Sequence, residues 1–384
     1  MNVCIDIQSA IAQRAGVGRY TRLLVEHLAP LSGADRLSLF YFDFSRKGEP
    51  FSVPGAAQRA VRWVPGRYVQ KAWKEIGFPP FNWFAGPADV YHFPNFVRPP
   101  LTRGKSVVTI HDVSFLRFPE TMEEKNRRYL TRCMRDTVDR ADAIVTDCAF
   151  VADELRELMN VPAHKLHPIL LGMSRQIADA PADAVAAFRK TRGLERPYLL
   201  HVGTIEPRKN HLFLIKVFER LRGFDGDLVL AGMRGWKCDP VFAAIAASPK
   251  RDRIRYLEYV SDDDLPALYT GAEALVFPSL YEGFGFPPLG AMSCGTPVVS
   301  STAGSLAEVL GGGARLIAGY DESEWAQAVE SLLSRTADRA ALTAAGRSKA
   351  AEYNWDRTAA QTWDLYRRLG NSSGGGGIPA AGSP

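Results

Sequence analysis

The chain has 384 residues, 46% of them hydrophobic and 23% charged, with 47 basic against 42 acidic side chains for a formal net charge of +5. This composition excludes a disordered or fibrous chain, and the basic excess is too small to point to a nucleic-acid partner. Single cores stop growing at roughly 250–300 residues, so two domains are expected. Five cysteines without a C-x-x-C pair suggest neither a zinc cluster nor a disulfide framework and fit reduced thiols in a cytoplasm. The opening MNVCIDIQSA has no basic region followed by an apolar run, and no stretch of about 18 apolar residues occurs, so neither a signal peptide nor a membrane span is expected.

Apolar residues 3–7 predict a first strand, then a glycine-bearing loop, then a helix over 20–28 in which Leu23, Leu24, Leu28 and Leu31 recur at helical spacing. Further strands are predicted at 37–42, 90–92, 106–111 and 143–146, with a helix over 122–140. The pattern restarts after residue 196, with strands at 198–202, 228–231, 255–259, 274–277 and 297–300, each followed by a helical stretch. Strands alternating with helices predict two successive α/β halves built on parallel sheets. Their join is expected near 171–176. A last amphipathic helix is predicted over 355–369, and the Gly/Ser/Pro-rich 370–384 reads as a disordered tail.

Five motifs carry candidate chemistry. In YEGFGFPPLGAMSCGTPV (281–298), a strand is followed by Glu282, then Gly283 and Gly285 in a loop, then Pro287 and Pro288 as a helix start. Unpaired amides there suit a phosphate and Glu282 suits sugar hydroxyls, although a plain strand-to-helix turn explains the same residues. In GTIEPRKN (203–210), Arg208 and Lys209 follow a predicted strand, where parallel sheets bind ligands; two fixed cations suit a diphosphate, and a solvated basic turn is the alternative. GVGRY (16–20) offers Gly16 and Gly18 in a small-residue loop but lacks the third glycine of a dinucleotide fingerprint. TIHDVSF (109–115) ends a strand on His111 and Asp112, suited to a ligand contact or to a structural histidine. In YVSDDDL (259–265), Asp262 and Asp264 superficially match a metal-holding Asp-x-Asp, but Ser261 and Asp264 fit a helix cap better.

Together these segments resemble family 4 of the retaining glycosyltransferases over residues 1–369, and GVGRYTRLL, VYHFPN, TIHDVSFLRFPE and GTIEPRKN are most similar to bacterial mannosyl- or rhamnosyl-type transferases of polysaccharide or O-antigen assembly. The resemblance implies the GT-B fold: α/β, two Rossmann-like parallel-sheet domains facing across a cleft. It implies an acceptor-side domain at 1–172, a nucleotide-sugar domain at 173–354 and a C-terminal helix at 355–369 crossing back to the first domain. It places Arg208 and Lys209 on the donor diphosphate, with Gly203 and the backbone of Gly283, Phe284, Gly285 and Phe286 nearby. The base falls near Tyr259 and Val260, the hexose near Glu282, and Gly16, Gly18 and His111 close over donor and acceptor. His111, Arg208, Lys209 and Glu282 form the implied catalytic set. The implied chemistry retains anomeric configuration without a metal or other cofactor, the leaving diphosphate helping to take the acceptor proton. GDP-mannose is the first expected donor and a glycan or lipid-linked molecule the acceptor.

One departure stands out. The family pattern places a second glutamate where this chain has Gly290. Its loss removes a charged hydrogen bond of roughly 1.5–3 kcal/mol. Gly290→Glu is therefore expected to tighten donor binding, with Glu308 as one possible substitute, and a weakly active or scaffold-like subunit is the alternative function. Trp63, Tyr68, Trp73, Phe78, Phe81, Trp83 and Phe84 interleave with Arg62, Arg67, Lys71 and Lys74, a mixture suited either to peripheral contact with an anionic membrane or to interdomain packing. The expected location is the cytoplasm, at the inner face of its membrane. Epimerase, phosphorylase and NAD-dependent dehydrogenase readings lack their own residue sets.

Overall fold

A computed structural model describes residues 1–12, 16–46, 51–174 and 176–372. The predicted disordered tail lies outside the described residues from 373 onward, whereas residues 370–372 continue the last helix.

Seven parallel strands form the first sheet: β1 (Asn2–Asp6), β2 (Arg36–Phe42), β3 (Ala56–Val61), β4 (Val90–Phe93), β5 (Lys105–Ile110), β6 (Ala143–Thr146) and β7 (Leu166–Pro168), in the order β3-β2-β1-β4-β5-β6-β7. Six more form the second: β8 (Tyr198–Val202), β9 (Asp227–Ala231), β10 (Ile254–Leu257), β11 (Ala274–Phe277), β12 (Val298–Ser301) and β13 (Arg315–Ile317), in the order β10-β9-β8-β11-β12-β13 and again parallel. The central strands β4, β6, β9, β11 and β12 are buried at every position, as parallel strands covered on both faces must be. Strand order reverses between β1 and β4 and between β8 and β11. Ligands of such sheets bind outside the carboxyl ends of the strands at these reversals.

The differences from the predicted elements fall at the edges. Strand β3, AAQRAV, buries only Val61, so it has no apolar run to betray it. Strand β10 ends at Leu257, which leaves Tyr259 and Val260 in the following loop rather than at a strand end. Of the seven interleaved aromatics, Phe81 and Phe84 are core residues and Trp73 is half-buried against Phe42, Phe81 and Phe84, whereas Trp63, Tyr68, Phe78 and Trp83 are exposed.

Helix Trp355–Ser372 crosses back to the first domain. Thr358 donates to the Leu170 carbonyl at 2.7 Å, and the Tyr366 hydroxyl lies 2.5 Å from His92 Nδ1 on β4. The two chain crossings run side by side, with Met173 bridged to Asn354. Among the described residues no helix is long and apolar enough to cross a membrane.

Candidate functional site

The loops leaving β8 and β11 meet at the carboxyl edge of the second sheet, tied by a hydrogen bond from Leu280 N–H to the Arg208 carbonyl (2.8 Å). There the predicted cations and carboxylate form one cluster. Lys209 Nζ reaches Glu282 Oε1 at 2.6 Å, and Arg208 Nη1 reaches Glu282 Oε2 at 3.3 Å and the Tyr281 carbonyl at 2.7 Å. Arg208 Nη2 donates to Glu206 Oε1 at 2.8 Å. Glu206 is absent from the sequence expectation, although it stands in the same GTIEPRKN segment. Two cations and two carboxylates thus neutralise one another in a nearly dry site.

The electrostatics follow from that burial. Burial alone would raise the Glu282 carboxyl, but Lys209 and Arg208 outweigh it and hold the group at about 2. Burial pulls Lys209 below the ordinary lysine range, with Glu282 opposing. Arg208 also loses solvation, but Glu282, Asp112 and Glu206 raise it further into the always-charged range. An anionic ligand entering here competes with Glu282 for two preorganised cations.

On the facing domain, His111 follows β5, and both of its ring nitrogens face oxygens: Nδ1 lies 2.8 Å from Asp147 Oδ2 and Nε2 lies 3.0 Å from the Pro94 carbonyl. With Asp147 ionised, a ring between two acceptors carries both N–H groups and the pair is an imidazolium with a carboxylate; burial pushes Asp147 up toward its neutral form, with His111 opposing. Burial works against that charge, but Asp147 and the Pro94 carbonyl raise the His111 pKa overall. Asp147, 3% exposed at the end of β6, is a second residue the sequence reading misses; its Oδ1 is buried without a partner among the described residues.

Gly283 brings the two domains together. The His111 carbonyl oxygen lies 2.0 Å from where a Cβ on Gly283 would stand, so only glycine permits the approach. Around it, the Tyr281 hydroxyl donates to Glu154 Oε2 at 2.6 Å and accepts from Val113 N–H at 3.3 Å. Cys148 Sγ donates to the Gly283 carbonyl at 3.2 Å. Gly285, at φ 104, leads into helix Phe286–Ser293, which starts three residues after Gly283. Gly203 stands at the end of β8, 3.5 Å from Lys209 Cε if given a Cβ. Gly16, at φ 58, precedes helix Val17–Leu28, and Gly18 is buried in its first turn.

The remaining expectations fare unevenly. Phe284 is buried and packs edge-on to Phe286 and Tyr353, so its ring belongs to the core and only its backbone is available. Tyr259 is 44% exposed and Val260 is buried, and neither joins the ionic cluster. Glu308 is not free to replace a second donor-binding glutamate. Its carboxylate accepts from Ala149 N–H (3.0 Å) and Phe150 N–H (2.8 Å), capping helix Ala149–Met159 across the domain junction. Asp262 and Asp264 bond to different arginines, Arg19 and Arg192, while Asp264 N–H donates to Ser261 Oγ at 3.2 Å, so this segment is a cap. Among the described residues no group of three or more His, Cys, Asp or Glu side chains is placed to hold a metal.

Gly290 has a packing reason. A Cβ there would stand 3.0 Å from Tyr269 Cε2 and 3.2 Å from Cζ, and Tyr269 is 3% exposed. The tyrosine ring occupies the space a larger side chain would enter. A glutamate at 290 therefore has to push the Tyr269 ring aside by a few tenths of an ångström before it can reach a donor, and tighter binding depends on that shift.

Comparison with known proteins bears on the same regions. A family model described as glycosyl transferase 4-like domain matches residues 15–172, and one described as glycosyl transferases group 1 matches 186–349. The chain is 34% identical over 377 residues to O-antigen chain mannosyltransferase B of Escherichia coli, covering 92% of this chain and 96% of that protein. Among solved structures, sucrose-phosphate synthase from Thermosynechococcus elongatus superposes with a TM-score of 0.78 at 19% identity, over 97% of this chain and all of that one. Anabaena HepE, solved with UDP-glucose, superposes with a TM-score of 0.71 at 16% identity, over 95% of this chain and all of that one. Both share the fold.

Proposed function

Because the chain belongs to the group 1 glycosyltransferases, with the GT-B architecture, we propose that it transfers a hexose, mannose first, from a nucleotide-diphosphate sugar to a glycan or lipid-linked acceptor in bacterial surface-polysaccharide assembly. The likeness to O-antigen chain mannosyltransferase B of Escherichia coli supports the hexose and the pathway. The observation that carries the site assignment is the ionic cluster of Arg208, Lys209 and Glu282 opposite His111.

In this reading Arg208 and Lys209 grip the donor diphosphate, whose oxygens displace Glu282 from them. The freed carboxylate accepts from hydroxyls of the hexose. The backbone amides at Gly283 to Phe286 and the helix N-terminus after Gly285 add positive potential on the same side. As the bond from the anomeric carbon to the diphosphate oxygen breaks, negative charge grows on the leaving group, where the two cations already stand. The acceptor oxygen bonds to the same face of the anomeric carbon, and its proton passes to the leaving diphosphate, so configuration is retained and no protein base takes part. The His111 imidazolium, held by Asp147, faces the hexose from the other domain. Two fixed side-chain cations supply the charge that a divalent ion would otherwise bring, so transfer proceeds without metal. The test is proton NMR of the product formed from GDP-mannose with an α-mannoside acceptor in excess EDTA: an α-linked product supports the reading, and a β-linked product or strict dependence on added metal overturns it.

The protein works at an anionic membrane surface on the cytoplasmic side in this reading. Trp63, Tyr68, Ile76 and Trp83 are 71%, 57%, 70% and 62% exposed in the first domain, in the same stretch of sequence as Arg67, Lys71 and Lys74.

A further inference from the structure

Tyr281 belongs to the second domain by its backbone and to the first by its side chain. It lies in the loop that leaves β11, yet its buried ring packs on two residues of the first domain, with centroids 5.9 Å from Phe118 and 6.0 Å from Phe150. Both hydrogen bonds of its hydroxyl also go to the first domain: it donates to Glu154 Oε2 and accepts from Val113 N–H. Burial, Glu154 and Asp112 all push this hydroxyl above the ordinary tyrosine range, so it stays protonated and donates.

Glu154 is held ready for that bond. Its carboxylate is buried on helix Ala149–Met159, where Oε1 accepts from Arg117 Nε at 2.6 Å, and Arg117 Nη2 is itself fixed by Glu157 Oε1 at 2.9 Å. Removing the tyrosine oxygen leaves a buried carboxylate oxygen and a buried N–H short of a partner. That penalty exceeds the net worth of an ordinary hydrogen bond.

The backbone of the same residue is tied to the donor chemistry. The Tyr281 carbonyl accepts from Arg208 Nη1, Glu282 follows it in the chain, and Gly283 then presses on the His111 carbonyl. On the first domain, Val113 stands two residues after His111. One side chain therefore spans the gap between the two halves of the site, and a change in how deeply its ring sits moves Arg208 and Glu282 against His111. A misplacement of about 1 Å between reacting groups costs transfer about 100-fold. Lys237 makes a different crossing: its Nζ donates to the Glu120 and Met122 carbonyls at 2.5 and 3.3 Å from an exposed position and carries no bond to the ionic cluster among the described residues.

Resting on the transferase reading, we propose that Tyr281 is a positioning residue: its ring, packed on Phe118 and Phe150 and bonded to Glu154 and Val113, sets the spacing at which Arg208, Lys209 and Glu282 face His111. It touches neither donor nor acceptor and acts through the residues on either side of the junction. Its loss lowers the rate of transfer and leaves nucleotide binding to the second domain in place.

The test compares the wild type with Tyr281→Phe, Glu154→Ala, their double variant and Lys237→Met. Each is measured by transfer from GDP-mannose to an α-mannoside, calorimetric titration of GDP and hydrogen exchange of peptides, with a melt to confirm folding. Tyr281→Phe removes one oxygen and keeps both the ring and the carbonyl that holds Arg208. In it, kcat should fall about 10- to 100-fold, while KM for GDP-mannose and the affinity for GDP stay within about threefold of the wild type. Glu154→Ala should lose a similar factor and the double variant no more than the larger single loss, because both changes break one bond. Lys237→Met should stay within about twofold. Peptides covering 147–152, whose Ala149 and Phe150 amides are capped from the second domain by Glu308, should exchange faster in Tyr281→Phe as the domains part more often. A folded Tyr281→Phe that keeps the wild-type kcat, or that raises KM alone, overturns the proposal. Losses that multiply in the double variant overturn it too, as does a Lys237→Met variant as slow as Tyr281→Phe. A wild type that transfers no mannose counts against the transferase reading, and hydrogen exchange then judges the tyrosine separately: unchanged exchange across 147–152 overturns its hold on the junction.

Discussion

Replacing Glu282 by glutamine keeps the side-chain volume but removes one of the two carboxylates that neutralise Arg208 and Lys209. Glu282 is 6% exposed and its carboxyl is held at about 2 against an ordinary 4.5, because its two cations outweigh the cost of burial. That depression corresponds to about 3 kcal/mol of stability at neutral pH, the lower end of the roughly 3–5 kcal/mol expected for breaking a buried ion pair. Since the folded value is the lower one, the stabilisation is complete above the unfolded value near 4.5 and is lost as pH falls toward 2. At roughly 2–4 °C per kcal/mol, Glu282→Gln should lower the melting midpoint at pH 7 by about 6–12 °C, and the gap should narrow at pH 3. A nucleoside diphosphate returns the missing negative charge, so GDP should raise the midpoint of the variant more than that of the wild type. Calorimetric melts with and without GDP at both pH values measure all three effects. A variant that melts within a degree of the wild type at pH 7, or whose deficit is as large at pH 3, refutes the electrostatic account of the cluster.

Asp147→Asn removes the main group that raises His111, so the imidazolium should lose its proton at lower pH. The alkaline fall of kcat should then shift to lower pH, with kcat down by about tenfold at neutral pH and nucleotide affinity preserved; an unshifted profile argues against a charged His111 in transfer. Gly290→Glu should lower the melting midpoint without tightening GDP-mannose, whereas pairing it with Tyr269→Ala should recover stability; tighter binding in the single variant shows that the Tyr269 ring yields easily. Flotation with anionic vesicles should carry the wild type at low salt and should fail for Trp63→Ser combined with Trp83→Ser; equal flotation of both places the membrane contact elsewhere.

Much of this architecture is legible in the chain because parallel strands buried on both faces read as apolar runs. VYHF, AIVT and ALVF are such runs, and the motifs that follow the strands fall at the sheet edge where ligands bind. Strand β3 escapes because an edge strand exposed on both faces has no such run. Asp147 and Glu206 escape for another reason. Each is a single acid in the loop after a strand, and its importance comes from what neighbouring segments bring to it: His111 or Arg208. Local sequence records the acid but not the partner. Gly290 shows the same limit in reverse, since a gap in a family pattern becomes intelligible only when Tyr269, 21 positions earlier in the chain, is seen to fill it.

The central claim is that Arg208 and Lys209 hold the donor's diphosphate, and titration of GDP and GDP-mannose by calorimetry into the wild type, Arg208→Ala and Lys209→Met tests it most directly. The account predicts measurable binding by the wild type and a loss of about 10- to 100-fold in each folded variant, the value of a charged hydrogen bond. Variants that bind both ligands as tightly as the wild type contradict it.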